Sequence, residues 1–184
     1  MNVSTPRLIA FLRAINVGGH NVTMEELRGL FDALGFTDVE TFIASGNVIF
    51  RSRSKGQQAL EARIETRLRE ALGYEVKTFI RTDAEVAAIA GYAPFDAARL
   101  RSAGALNVGL VAEPLGAAST KALMTLRTDI DDFHVHGREV YWLCKKKQSE
   151  STFSGGLFER TLKVGVTFRG ARTMARLAAK YPLA

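Results

Sequence analysis

The chain has 184 residues, 47% hydrophobic and 24% charged, with a net charge of +6. That length can bury a sizeable core without staples, and a single cysteine, Cys144, excludes an internal disulfide and fits a reducing compartment. No apolar run approaches the roughly 18 residues of a membrane span, and the opening MNVSTPR lacks an apolar h-region, so the sequence predicts a cytoplasmic chain with no signal peptide and no membrane partner.

Arg7 to Ile15 reads as a strand, apolar on both parities and therefore central in a sheet. Thr23 to Glu26 fits a T-x-x-E capping box opening a helix that runs to about Leu34, with Gly35 as its stop. Val39–Ala44 and Val48–Arg51 are β-rich runs around Ser45-Gly46-Asn47, a hairpin signal. Gln57 to Leu72 is the clearest helix, with Leu60, Ile64, Leu68 and Leu72 along one side and Gly73 at its end. Glu75 to Arg81 closes a β-α-β-β-α-β order, the ferredoxin-like unit. Asp83 to Gly91 is a short helix, and Tyr92 to Ala105 reads as a connector.

The order then returns. Leu106–Ala112 is a strand, Ala118–Leu126 a helix, and Phe133–Val135 with Glu139–Leu143 a strand pair. Leu157–Val164 is a helix, Gly165–Phe168 a short strand, and Ala171–Lys180 a last helix. The predicted fold is α+β: two ferredoxin-like (βαββαβ) units in one compact chain, the second looser and carrying an extra C-terminal helix. The boundaries are 1–91, a connector at 92–105, and 106–184.

Several of these residues together resemble a bacterial family catalogued as domain of unknown function 1697. They are Leu12-Arg13 with Ile15-Asn16-Val17-Gly18-Gly19, the helix Met24 to Gly35, and Ser45-Gly46-Asn47-Val48. The order Glu159, Leu162, Thr167, Arg169 and Thr173 extends the resemblance over nearly the whole length. It implies an α+β protein with ferredoxin-like halves and brings no established activity. The chain departs from the family pattern in three places. It has Ala14 where members carry glycine, Thr152-Phe153-Ser154-Gly155 where they tend to have Lys-Leu-Thr-Asn, and Arg169-Gly170-Ala171 where they tend to have Arg-Asn-Trp.

The positive charge is uneven. Residues 1–91 hold 11 Lys+Arg against 11 Asp+Glu, whereas residues 141–184 hold 9 against 2. A local excess of this kind attracts anions over about a Debye length, roughly 8–10 Å. Lys145, Lys146 and Lys147 follow a strand, and Arg172, Arg176 and Lys180 form one stripe of the last helix. With Arg169, and with the helix amides at Ser154-Gly155-Gly156, they are the expected contacts to phosphate, most economically nucleic acid. Either Tyr141 or Trp142, on opposite faces of one strand, is expected near the lysines.

Gly18-Gly19 fits neither a P-loop nor a G-x-G-x-x-G fingerprint. It is either a turn needing positive φ or, with Arg13 and Asn16, a second anion point for a small phosphorylated ligand, the pocket of an enzyme or sensor. A third reading is a protein-interaction module using an edge strand. Ser45 has no visible base, and His134 with His136 cannot close a metal site alone. The sequence therefore predicts a non-enzymatic binding protein without cofactor or metal, and leaves the oligomeric state open.

Overall fold

The computed structural model describes residues 5–183. The chain divides into two compact units, one reaching Val86 and resuming at Tyr181, the other Ala87–Lys180.

The first unit runs β1 (Arg7–Leu12), α1 (Met24–Asp32), β2 (Thr37–Thr41), β3 (Asn47–Arg51), α2 (Gln57–Leu72) and β4 (Thr78–Thr82). Its strands form an antiparallel sheet in the order β2-β3-β1-β4, the arrangement expected of β-α-β-β-α-β connectivity. Even-numbered β1 residues Leu8, Ala10 and Leu12 meet Val48, Phe50 and Ile80 on the sheet face. Leu27 and Phe31 of α1 and Leu60, Ile64 and Leu68 of α2 close that core. Burying each such side chain is worth about 1.5–3 kcal/mol. The other parity, Ile9, Phe11, Ile49 and Phe79, is buried too, as the both-sided apolar pattern of β1 requires.

The predicted capping box is present: the Thr23 hydroxyl accepts from the Glu26 amide, and Glu26 Oε2 accepts from Thr23 N at 2.8 Å. β1 is shorter than the sequence implied. It ends at Leu12 because Ala14 and Asn16 take φ of 62° and 57°, a conformation that no strand continues through.

The edge strand β4 is closed by side chains of α2. Glu61 Oε1 accepts from Ile80 N at 2.8 Å, Glu65 Oε1 accepts from Thr78 N at 2.9 Å, and Gln57 Nε2 donates to Ile80 O at 3.0 Å. Groups that would otherwise template another strand are thereby occupied.

α3 (Asp83–Gly91) leads into the second unit: α4 (Ala97–Ser102), β5 (Ala105–Leu110), α5 (Ala117–Met124), β6 (Asp131–His136), β7 (Glu139–Cys144), α6 (Gly155–Leu162), β8 (Thr167–Gly170) and α7 (Ala171–Lys180). The sheet order β6-β7-β5-β8 repeats that of the first unit. The stretch read as a connector holds a helix, α4, nucleated by Asp96, whose carboxylate accepts from Arg99 N at 2.9 Å. β6 opens at Asp131 and Asp132, two residues before the strand read from the sequence at Phe133. β8 lies two residues later than expected, and α6 two residues earlier, because Ser154 caps the helix through Leu157 N.

One face of the second sheet carries Phe133, Val140, Trp142 and Cys144 against Leu123 of α5 and Phe158 and Leu162 of α6. α7 lies against β5 and β8, with Met174 and Leu177 buried. Two glycines permit close approaches here. A Cβ on Gly109 would sit 2.7 Å from Phe168 Cε1, so the Phe168 ring can cross β5 only at a glycine. A Cβ on Gly104 would sit 2.1 Å from the Lys146 carbonyl oxygen, so the lysine loop rests directly on the backbone that leads into β5.

Candidate anion-binding surface

The turn after β1 is held by bonds within it and by contacts to neighbouring segments. Asn16 Oδ1 accepts from Val22 N at 2.8 Å, and Val17 O accepts from His20 N at 3.2 Å. Gly18 and Gly19 have φ of 65° and 86°, so the glycine pair is accounted for by backbone conformation. His20 stacks on Tyr74 with ring centroids 4.0 Å apart. Arg13 is half-buried at the start of this turn, and its amide donates to Lys77 O at 2.8 Å. Asn47, fully buried, donates from Nδ2 to Phe42 O at 2.9 Å and to Ser45 Oγ at 2.8 Å. Gly46 O accepts from Leu12 N at 2.8 Å, so Ser45-Gly46-Asn47 is a turn fastened to the end of β1.

In the second unit, Lys145, Lys146 and Lys147 follow the end of β7 and are exposed. Lys145 N donates to Ile130 O at 2.8 Å, and Gly104 N donates to Cys144 O at 2.9 Å, which pins the loop from two sides. None of the three ammonium groups has an ion-pair partner among the described residues. Lys145 lines a cleft of about 220 Å³ together with Arg99, Arg127 and Thr128, with Asp131 and Asp132 at its back. Cations from α4, from the link before β6 and from the β7 loop thus meet at one end of one sheet.

The two carboxylates there behave differently. Asp131 is buried and accepts from neutral donors: Trp142 Nε1 at 2.8 Å, Ser151 Oγ at 2.8 Å and Thr128 Oγ1 at 2.8 Å. Asp132 pairs with both Arg99 Nη2 and Arg127 Nε at 2.6 Å. Burial pushes the Asp132 pKa up. The hydrogen bond from Arg99, the Phe133 amide and the charges of Arg127 and Arg99 outweigh it, and the carboxyl is held below its ordinary range. One carboxylate thus faces two guanidiniums, and Lys145 adds a third positive charge.

The last helix begins where β8 ends, so Arg172 stands at the same end of the sheet as the β5 start and the lysine loop. Arg172, Arg176 and Lys180 are exposed along one stripe, as their spacing requires. Arg172 has no charged partner among the described residues, whereas Arg176 and Lys180 already engage other groups of the chain. Arg169 does not join the exposed cations. It is buried, with Nη1 donating to Thr167 Oγ1 at 2.8 Å and to Phe168 O at 3.0 Å, and burial lowers its pKa to about 10. Tyr141 and Trp142 do lie on opposite faces, but both faces are covered and neither ring is exposed.

Among the described residues no group of three or more His, Cys, Asp or Glu is placed to hold a metal ion. His134 Nε2 is hydrogen-bonded to Tyr92 OH at 2.7 Å, and His136 stacks on the same ring at 4.1 Å. Cys144 is a buried free thiol whose pKa burial pushes up. No helix is long and apolar enough to cross a membrane among the described residues.

Sequence reasoning missed Arg99, which lies in the stretch read as a connector and whose guanidinium reaches the site through tertiary packing. Arg127 reaches the site from the link before β6, where its Nε pairs with Asp132.

The fold is similar to that of a solved structure, a conserved bacterial protein, SP0830, from Streptococcus pneumoniae. The TM-score is 0.71 at 23% identity, over 96% of this chain and 98% of that one. The likeness at that identity concerns fold. A comparison with curated proteins finds no match. Residues 6–141 match the family described as "Protein of unknown function (DUF1697)", so the match takes in the β1 turn, the Ser45-Gly46-Asn47 hairpin and Arg99 and Arg127, and stops before the lysine loop. Spanning most of its length, that match establishes that the chain belongs to the DUF1697 family.

Proposed function

We propose that the protein binds a phosphate-bearing polyanion, nucleic acid by preference, through the end of its second sheet. The observation that carries this reading is the grouping of cations from three separate segments. Lys145 meets Arg99 and Arg127 around one cleft, the exposed Lys146 and Lys147 follow it in the same loop, and Arg172 stands at the same sheet end. Lysine and arginine contacts of this kind position a phosphate backbone and read no sequence. The free energy comes largely from released counterions, so binding is strongest at low salt.

The reading is tested with a fluorescently labelled single-stranded oligonucleotide followed by anisotropy. Binding at low salt, weakened by Arg172→Gln and by neutralising the three lysines but untouched by Arg13→Ala, supports it. Binding that Arg13→Ala removes while the lysine variants retain it would transfer the site to the β1 turn and reject this reading.

A further inference from the structure

The cleft among Arg99, Arg127 and Lys145 differs from the open lysine loop beside it in how its cations are held. The Arg99 guanidinium lies over the Phe95 ring, with Cζ 4.7 Å from the ring centroid, and donates from Nη2 to Asp132 Oδ2 at 2.6 Å. Arg127 Nε pairs with the other carboxylate oxygen, Oδ1, also at 2.6 Å. Asp132 is fixed in turn, because Oδ1 accepts from Phe133 N at 2.8 Å. Neither guanidinium has a further hydrogen bond among the described residues, so each keeps the rest of its donor fork for another acceptor. Two arginines are thus oriented before any ligand arrives, which lowers the ordering cost of binding.

The lining restricts the ligand to one class. It is ionic throughout except for Thr128, whose hydroxyl is already donated to Asp131 Oδ2. No aromatic or aliphatic side chain is among the lining residues to hold a base, and about 220 Å³ is below the roughly 300–1,000 Å³ of small-molecule sites. The cleft therefore fits a single anionic group. Arg99, Arg127 and Lys145 face Asp131 and Asp132, which leaves one uncompensated positive charge, and Lys146 and Lys147 follow directly with two more. A phosphate monoester carries about −1.5 to −2 charges at pH 7 and has three free acceptor oxygens, one for each cationic group of the cleft. A phosphodiester inside a strand carries a single charge. It has one free oxygen fewer, and its chain must leave on both sides.

We infer that this cleft receives the terminal phosphate of a nucleic-acid strand, a monoester held by Arg99, Arg127 and Lys145, with the next nucleotides running along Lys146 and Lys147. The inference deepens the polyanion reading and rests on it for the contacts outside the cleft. The loop binds any strand, and the cleft prefers one with a phosphorylated end. That end is either 5′ or 3′, since the group is chemically the same.

The test compares three short single-stranded oligonucleotides of one sequence, each labelled at an internal base and followed by anisotropy at low salt. One carries a 5′-phosphate, one a 3′-phosphate, and one has hydroxyls at both ends. The wild type is expected to bind a phosphorylated strand about tenfold more tightly than the hydroxyl strand. Arg99→Gln/Arg127→Gln is expected to lose that preference while still binding the hydroxyl strand. Lys146→Gln/Lys147→Gln removes the same number of charges and is expected to weaken all three strands by a similar factor, with the preference kept. Arg127→Gln alone, at a half-exposed position, replaces the double arginine variant if thermal melting shows the latter unfolded, and is expected to reduce the preference.

The phosphorylated strand that binds more tightly identifies the end. Equal affinities for the three strands, each falling with salt, reject the end site and keep the polyanion reading. No binding of any strand at low salt rejects both. A preference that persists in the arginine variant, or that the lysine variant loses to the same extent, overturns the assignment to this cleft.

Discussion

Asp131 accepts the indole N–H of Trp142 at 2.8 Å, and this bond joins the charged cleft to the hydrophobic core of the second unit. The same carboxylate holds Ser151 and Thr128, so three segments of the second unit are fixed by one buried group. Asp131→Ala leaves three donors without their acceptor. Hydrogen bonds to a charged group are worth about 1.5–3 kcal/mol each and are not additive, so a loss of about 2–4 kcal/mol is expected. Urea unfolding followed by Trp142 emission measures it; a loss below about 1 kcal/mol would show that Asp131 is not the anchor.

Asp132 gives the charged cleft an acid limit. Its folded-state pKa lies below the ordinary carboxylate value, chiefly because the Arg99 hydrogen bond and the neighbouring charges outweigh its burial. A depressed folded pKa contributes stability that is present above the unfolded value and lost as pH falls through the folded one. Arg127 is half-exposed, so the contribution is modest, about 0.5–1 kcal/mol. Asp132→Asn should therefore melt below the wild type at pH 7, with the gap closing as pH is lowered beneath the ordinary aspartate range. A gap independent of pH would assign the loss to packing.

Ala14 occupies a left-handed conformation, φ 62°, at an exposed position. An alanine there costs about 1–2 kcal/mol of backbone strain, partly offset by the lower entropy of its unfolded chain. Ala14→Gly is expected to stabilise the protein by about 1 kcal/mol in chemical denaturation. Destabilisation would mean that the methyl group makes contacts outweighing the strain.

Glu61 is buried on α2 and closes β4 through Ile80 N. Glu159, also the fifth residue of its helix, accepts from Val166 N at 3.0 Å just before β8. The two units thus repeat one device for covering an edge strand. Glu61→Ala should cost about 2 kcal/mol and speed amide exchange at Ile80. Unchanged exchange there would show that the backbone finds another acceptor.

The strongly periodic elements were legible in the sequence. α7 was placed to the residue because its cationic stripe and its Met174/Leu177 face share one helical period, and the both-sided apolar run of β1 announced a strand buried on both faces. What failed was set by single backbone torsions or by partners distant in the chain. Nothing local marks Ala14 as left-handed, so β1 was read too long. α4 is short and lies among proline and polar residues, with only the Asp96 cap to signal it. Arg169 looked like one more cation in a basic tail, and only its position in β8 buries it. The meeting of Arg99, Arg127 and Lys145 depends on how α4, the link before β6 and the β7 loop pack together, which composition and spacing do not encode.

The central claim is that the lysine loop contacts phosphates, and the salt dependence of binding tests it most directly. Affinity for a labelled single-stranded oligonucleotide is measured across a salt series for the wild type and for Lys145→Gln/Lys146→Gln/Lys147→Gln. Each phosphate contact contributes about 0.7 to the slope of log K against log salt on a single strand. The triple variant is expected to bind more weakly at low salt, with a slope shallower by about 2. Equal slopes and affinities for the two proteins, or no binding by the wild type at low salt, would contradict the account.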